Sequence, residues 1–301
     1  MFKQTAALLV ATLLLSALGR ANAEDYAARY KQLQDQKSAD GQIESLLNEW
    51  REKSPNDPEA WIASANYYFN QRQVMISTKP AGKGDFSLTD KKTGKKAGSI
   101  SFEQNEGSVK RAADLLQEAT GKFPDRLDIW CGLAFIQQES GQFENELSTL
   151  QKMVSYAREH PTGLKWLKSQ SIDEPADKFV PEKLHSYGLY YEKKKNPDDD
   201  KRWFQIAALA MQQYPNHAEG FNDAAGYYAD LREWKKAREL FEKAHQLDPK
   251  SAGPLMNLAN VSLEMKDNTG AQKYLEEALK VEPNGPYAPD AKQALAKLKK
   301  K

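Results

Sequence analysis

The sequence predicts an all-α protein, an α-α superhelix of stacked helical hairpins with one short β-hairpin inserted. Three observations predict it. The pattern of Trp234–Lys250 returns at Asn268–Asn284, so that Ala237, Phe241, Ala244 and Pro249 become Ala271, Leu275, Ala278 and Pro283. Within each copy the apolar residues fall three and four apart, the spacing of a helix with one buried stripe. Pro215, Pro249 and Pro283 then stand at equal intervals, each unable to continue the preceding helix.

The N-terminal segment 1–23 reads as an export signal. Lys3 precedes the apolar run Thr5–Leu18, and small residues Ala21 and Ala23 follow, which predicts cleavage after Ala23. The run is shorter than the roughly 20 residues that span a bilayer. Glu24 follows the site where a lipoprotein would carry Cys, so the expected location is periplasmic or secreted. Removing Lys3 and Arg20 takes the 43 basic residues to 41, against 42 acidic ones. A balance this even gives nucleic-acid binding no electrostatic support. Cys131 is the only cysteine, so no disulfide forms within the chain.

An N-terminal block is expected over 24–161. Its helical segments are Tyr26–Gln36 and Gln42–Lys53, then Asp57–Gln71 with Trp61, Ala65 and Tyr68. The partner of that last helix appears only at Val109–Asp125, because residues 74–104 intervene. Within them Phe86–Thr89 and Ser99–Phe102 alternate around Gly94, which predicts a β-hairpin. A degenerate unit follows, with Trp130, Leu133, Ala134, Leu150 and Met153 in place but Gln137 and Glu146 off pattern. Residues 162–183, with Pro175 and Pro181, are expected to link the blocks. The C-terminal block, 184–301, opens on a unit carrying Trp203 where a small residue belongs, which predicts a looser crossing there. Two regular units and a lysine-rich capping helix complete it.

The regular units share a skeleton of large, small, aromatic, small, large, small and proline. One copy is Phe221, Ala224, Ala225, Tyr228, Ala237, Phe241, Ala244, Pro249; the next is Leu255, Leu258, Ala259, Ser262, Ala271, Leu275, Ala278, Pro283. This resembles the tetratricopeptide repeat, a helix–turn–helix unit of the same period. The resemblance implies a curved stack whose first helices line a concave groove that binds proteins or peptides. Carried over position by position, the groove residues are Asn66, Phe69 and Asn70; Phe135 and Gln138; Asn222, Asp223 and Asp230; and Met256, Asn257, Asn260 and Glu264. Amides both donate and accept and so suit the backbone of an extended peptide, although any solvated helix face looks similar. Members of the family that clamp a terminal carboxylate use groove lysines or arginines, and these are not evident here.

The insertion offers a second surface. Lys79, Lys83, Lys91, Lys92, Lys95 and Lys96 outnumber the insertion's acidic residues Asp85, Asp90 and Glu103, with Lys91, Lys92, Lys95 and Lys96 at its tip. Such a tip suits anionic envelope material or an acidic protein. The plainer reading is a hairpin whose lysines guard a strand edge and whose Phe86 and Phe102 cover neighbouring helices.

Signals for chemistry are weak. His160, His185, His217 and His245 lack a second ligand at metal spacing, and read as isolated surface or turn histidines. Lys92–Gly94 matches one triplet of penicillin-binding enzymes, but no S-x-x-K accompanies it. Asp198, Asp199 and Asp200 read as charges favouring a helix start near Lys201. No catalytic residue, cofactor or metal is expected. The expected function is a non-catalytic interaction scaffold of the bacterial cell envelope, binding a protein or peptide without nucleic acid or a membrane span. The alternative is a hydrolase or a small-molecule or lipid carrier with a pocket between the two blocks, using Trp166, Tyr190 and Tyr191.

Overall fold

Four times along the chain a proline precedes an alanine at the same interval: Pro55 and Ala65, Pro124 and Ala134, Pro215 and Ala225, Pro249 and Ala259. All four alanines are fully buried in the computed structural model, which describes residues 25–194 and 196–298. The expected export signal and its cleavage site lie outside the described residues. Between each proline and its alanine stands the large residue that starts the helix. Trp61 Nε1 donates to the Pro55 carbonyl at 3.4 Å and Trp130 Nε1 to that of Pro124 at 3.0 Å. Phe221 and Leu255 hold the equivalent places.

A third shared position closes the turn inside three of these four units. Gly141, Arg232 and Lys266 have φ of 69°, 59° and 61°. The next amide in each case reaches back to a helix carbonyl at 2.8 Å: Gln142 to Gln137, Glu233 to Tyr228, Asp267 to Ser262. That is a Schellman closure, which needs one left-handed residue. In the Trp61 unit the same position is Arg72, and there the inserted sheet begins.

The chain divides into two compact units, one up to Thr149 with Lys165–Gln170, the other Leu150–Leu164 and Ser171 onward. In the first, α1 (25–35) and α2 (Asp40–Lys53) precede α3 (Pro58–Phe69), which pairs with α4 (Glu106–Lys122). Asp57 caps α3, accepting from Glu59 N, and its other oxygen accepts from Trp50 Nε1 at 2.8 Å. Leu47, Ala65, Ala112 and Ala119 fill the core without exposure. α5 (Leu127–Glu139) follows, and α6 (Phe143–Glu159) begins in this unit. Here the off-pattern residues satisfy one another: buried Gln138 Nε2 donates to Glu146 Oε1 at 2.7 Å, and Thr149 Oγ1 to Gln137 Oε1 at 2.8 Å. Arg126, 1% exposed, donates to both oxygens of Asp128, to Glu59 Oε1 and to Ser169 Oγ.

The insertion is larger than a hairpin. β1 (Arg72–Ser77), β2 (Phe86–Thr89) and β3 (Lys96–Gln104) form an antiparallel sheet in the order β1-β3-β2. The expected β2–β3 hairpin is present, and Val74 and Ile76 belong to the added strand. Gly98 is required on β3, since a Cβ there would lie 2.1 Å from the Ser77 carbonyl oxygen. The register places Val74 opposite Phe102 and both Ile76 and Phe86 opposite Ile100, so these residues share one face. Phe86 and Phe102 are 63% and 58% exposed. They do not cover neighbouring helices but stack edge-on against each other at 6.0 Å.

In the second unit α7 (Ala176–Glu192) pairs with α8 (Pro197–Gln213), α9 (Ala218–Asp230) with α10 (Trp234–Leu247), and α11 (Gly253–Glu264) with α12 (Asn268–Val281); α13 (Ala288–Leu298) packs on α12. α7 thus starts inside the stretch read as linker and holds Pro181 in its interior. Short strands β4 (Lys165–Trp166) and β5 (Gln170–Ser171) precede it. Ala225, Ala237, Ala259 and Ala271 are fully buried at the crossings, with Leu255, Phe241 and Leu275 beside them. Close helix approach requires such small residues. Trp203 does not loosen its crossing. It is 5% exposed, and its ring lies against Gly188 of α7 and Gly226 of α9, where Cβ atoms would come within 2.9 and 2.5 Å. The small residues have moved to the partner helices. Asn196 caps α8, accepting from Asp199 N, and Asp198, Asp199 and Asp200 form its first turn, where negative charge favours the helix dipole. Among the described residues no helix is long and apolar enough to cross a membrane.

Candidate functional site

The first helices of the second unit line a shallow cavity of about 490 Å³. α7 contributes His185, Leu189 and Glu192; α9 contributes Asn222, Asp223 and Asp230; α11 contributes Asn257, Asn260 and Glu264. Trp203, Trp234 and Tyr287 supply aromatic wall. Successive first helices present equivalent positions to one side because the repeat keeps a fixed length, so the register read from the sequence converges here. Asn257 Nδ2 donates to Asn222 Oδ1 at 3.1 Å, joining two adjacent repeats.

Three groove positions are not available to a guest as carried over. Gln138 is buried and engaged with Glu146. Met256 is 8% exposed and belongs to the core. Asp223 is 4% exposed and faces His185 Nδ1, whose distances to its two oxygens are 2.9 and 2.8 Å. In the first unit, Asn66 and Asn70 are exposed, with Asn70 Nδ2 turned back onto the Asn66 carbonyl at 2.8 Å. Phe69 and Phe135 meet edge-on at 5.7 Å, and Phe135 is half-exposed. Lys91, Lys92, Lys95 and Lys96 are all exposed around a turn that Asp90 holds by accepting from Lys92 N and from Thr93 N and Oγ1. Of the residues named for the alternative reading, Tyr191 is buried and sits edge-on to Tyr190 at 5.1 Å.

His185 is the residue that sequence reasoning missed. Reading histidines by their sequence neighbours cannot find a partner on the next repeat; the repeat register plus one helical turn would have pointed to it. Burial alone would lower its pKa, but the hydrogen bond and charge of Asp223, with Glu219 and Glu192, outweigh that and raise it. Burial raises the Asp223 and Glu219 carboxyls despite the attraction of His185. The electrostatics are therefore those of an acidic cavity. No Lys or Arg lines it among the described residues.

A larger hollow of about 1060 Å³ lies at the loops between repeats, bounded by residues such as Tyr214, Asp173, Asp177 and Glu219. Burial pushes the Tyr214 hydroxyl up to about 12.

Residues 228–298 match the family model of the tetratricopeptide repeat. That stretch carries tetratricopeptide repeats. A stretch of 83 residues is 34% identical to cellulose synthase operon protein C of Pseudomonas fluorescens (strain SBW25), covering 28% of this chain and 6% of that protein. The chain thus spans a small fraction of that relative's length. Similar solved structures include YrrB, a TPR protein described with an unusual peptide-binding site, at 12% identity over 82% of this chain and 97% of that one, with a TM-score of 0.41. They also include the TPR2B domain of yeast Sti1 in a pHsp70 complex, at 21% identity, 40% and 96% coverage and a TM-score of 0.37. The Sgt2 TPR domain from Aspergillus fumigatus is 25% identical over 40% of this chain and 77% of that one, with a TM-score of 0.36.

Proposed function

We propose that this tetratricopeptide-repeat chain is a non-catalytic scaffold of the bacterial cell envelope that holds an extended, basic peptide segment of a partner protein in the α7–α9–α11 cavity. The observation that carries the reading is the composition of that wall. Asn222, Asn257 and Asn260 offer amide donors and acceptors to a peptide backbone, while Glu192, Asp230 and Glu264 favour Lys or Arg side chains. A preformed site of this kind limits the ordering cost of binding. Export, periplasmic placement and cleavage after Ala23 rest on the N-terminal sequence alone.

The insertion supports a second contact. Its face of Val74, Ile76, Phe86 and Phe102 is exposed, and the turn between β2 and β3 carries four exposed lysines, a combination that fits an acidic partner surface with an apolar centre.

Selection of a phage-displayed random peptide library on the full chain tests the cavity reading. Enriched peptides should carry Lys or Arg and should lose binding to the Asn257→Ala/Asn260→Ala variant. Enrichment of acidic C-termini, or selection indifferent to that variant, would reject it.

A further inference from the structure

Helices α7 and α9 bring three metal-ligating side chains to one point beside the cavity. His185 Nδ1 lies 2.8 and 2.9 Å from the Asp223 oxygens and 3.8 Å from Glu219 Oε2, and one ligand atom from each residue falls within 4.8 Å of the others. We infer that His185, Glu219 and Asp223 form a binding site for a divalent transition-metal ion, with Zn²⁺ the best match.

The donor set is one imidazole nitrogen and two carboxylates, which suits zinc. Tetrahedral zinc with bonds of about 2.0–2.1 Å holds neighbouring donors about 3.3 Å apart. The observed 2.8 and 3.8 Å bracket that separation, so a small shift of the partly exposed His185 and Glu219 closes the site. Glu219 and Asp223 are one helical turn apart on α9 and therefore share a face. Asp223 is backed on two sides: the neighbouring Asn222 amide favours its ionised form, and the carboxylate packs where Gly188 leaves room. Such outer partners orient ligands.

Charge balance points the same way. A neutral imidazole and two carboxylates leave two negative charges, one of them buried, and Glu192 adds a third nearby. A divalent ion offsets two of them, whereas a proton on His185 offsets only one. The ion would bridge α7 to α9 and keep a coordination position open toward solvent.

A simple His185–Asp223 ion pair needs no third ligand, so Glu219 separates the two possibilities. The test uses the full chain stripped with EDTA and titrated calorimetrically with ZnCl₂ at neutral pH. One Zn²⁺ per chain should bind, and saturating metal should raise the melting temperature because it binds the folded state. Glu219→Gln should weaken binding at least tenfold and His185→Ala should abolish it, while His160→Ala and His245→Ala leave it unchanged. Absence of binding and of any melting shift in the wild type would overturn the site, as would unaltered affinity in His185→Ala or Glu219→Gln. Both variants replace partly exposed side chains, so folding is checked by their helical signal before titration.

Discussion

Gly226 of α9 lies against the rim of the Trp203 indole of α8: a Cβ at position 226 would stand 2.5 Å from Trp203 Cη2. The pairing inverts the pattern of the regular repeats, in which the second helix supplies a small residue at this crossing. It also fixes a prediction. Gly226→Ala should overpack the crossing and cost about 1–3 kcal/mol, read as a lowered urea midpoint. Adding Trp203→Leu should recover part of that loss. Strict additivity of the two changes would show that the ring and the glycine do not constrain each other.

Arg126 should be the costliest single truncation in the first unit. It is buried, and its guanidinium satisfies Asp128, itself 6% exposed at the side chain. Arg126→Ala leaves that carboxylate uncompensated, a loss of about 3–5 kcal/mol for a broken buried pair. Chemical denaturation measures it, and a change below about 1 kcal/mol would mean that water replaces the guanidinium freely.

The His185 cluster makes stability depend on pH in a known direction. Its folded pKa is raised, so protonation stabilises the fold fully below the unfolded value of about 6.5 and the effect fades as pH rises through the folded pKa. The facing groups are Asp223 and Glu219 on α9 and Glu192 on α7, all carboxylates. Asp223 has the same sign: burial raises its pKa, so its contribution is greatest below the ordinary carboxyl range and fades as pH rises through the folded value. In EDTA the melting temperature should therefore fall as pH rises from about 6 to about 8.5, and His185→Ala should flatten that slope. A rising or unchanged wild-type profile would contradict the assignment.

Removing the insertion tests whether its apolar face is open. Deletion of residues 74–104 should keep the helical circular-dichroism signal of the rest of the chain. Binding of a hydrophobic dye should drop, because Val74, Ile76, Phe86 and Phe102 leave with the sheet. Undiminished dye binding would place the exposed apolar surface elsewhere.

How much of this was legible in the sequence depended on distance along the chain. The proline–alanine register and the fixed repeat period are local patterns, so the helices and the cavity wall of Asn222, Asp230, Asn257 and Asn260 could be read directly. β1 was not legible because Val74 and Ile76 follow a helix without a turn signal. The left-handed Arg232 and Lys266 hid because glycine usually marks that position, as Gly141 does. Trp203 looked like a defect because the glycines that receive it, Gly188 and Gly226, belong to other helices. The His185–Asp223 contact was hidden for the same reason, and Gln138 was misplaced because its partner Glu146 sits across a turn.

The most direct test of the scaffold reading is the affinity of a library-selected peptide for the wild-type chain and for Asn257→Ala/Asn260→Ala, with melting temperatures taken in parallel. The account predicts at least a tenfold loss of affinity at an unchanged melting temperature. Equal affinity for both proteins would contradict it.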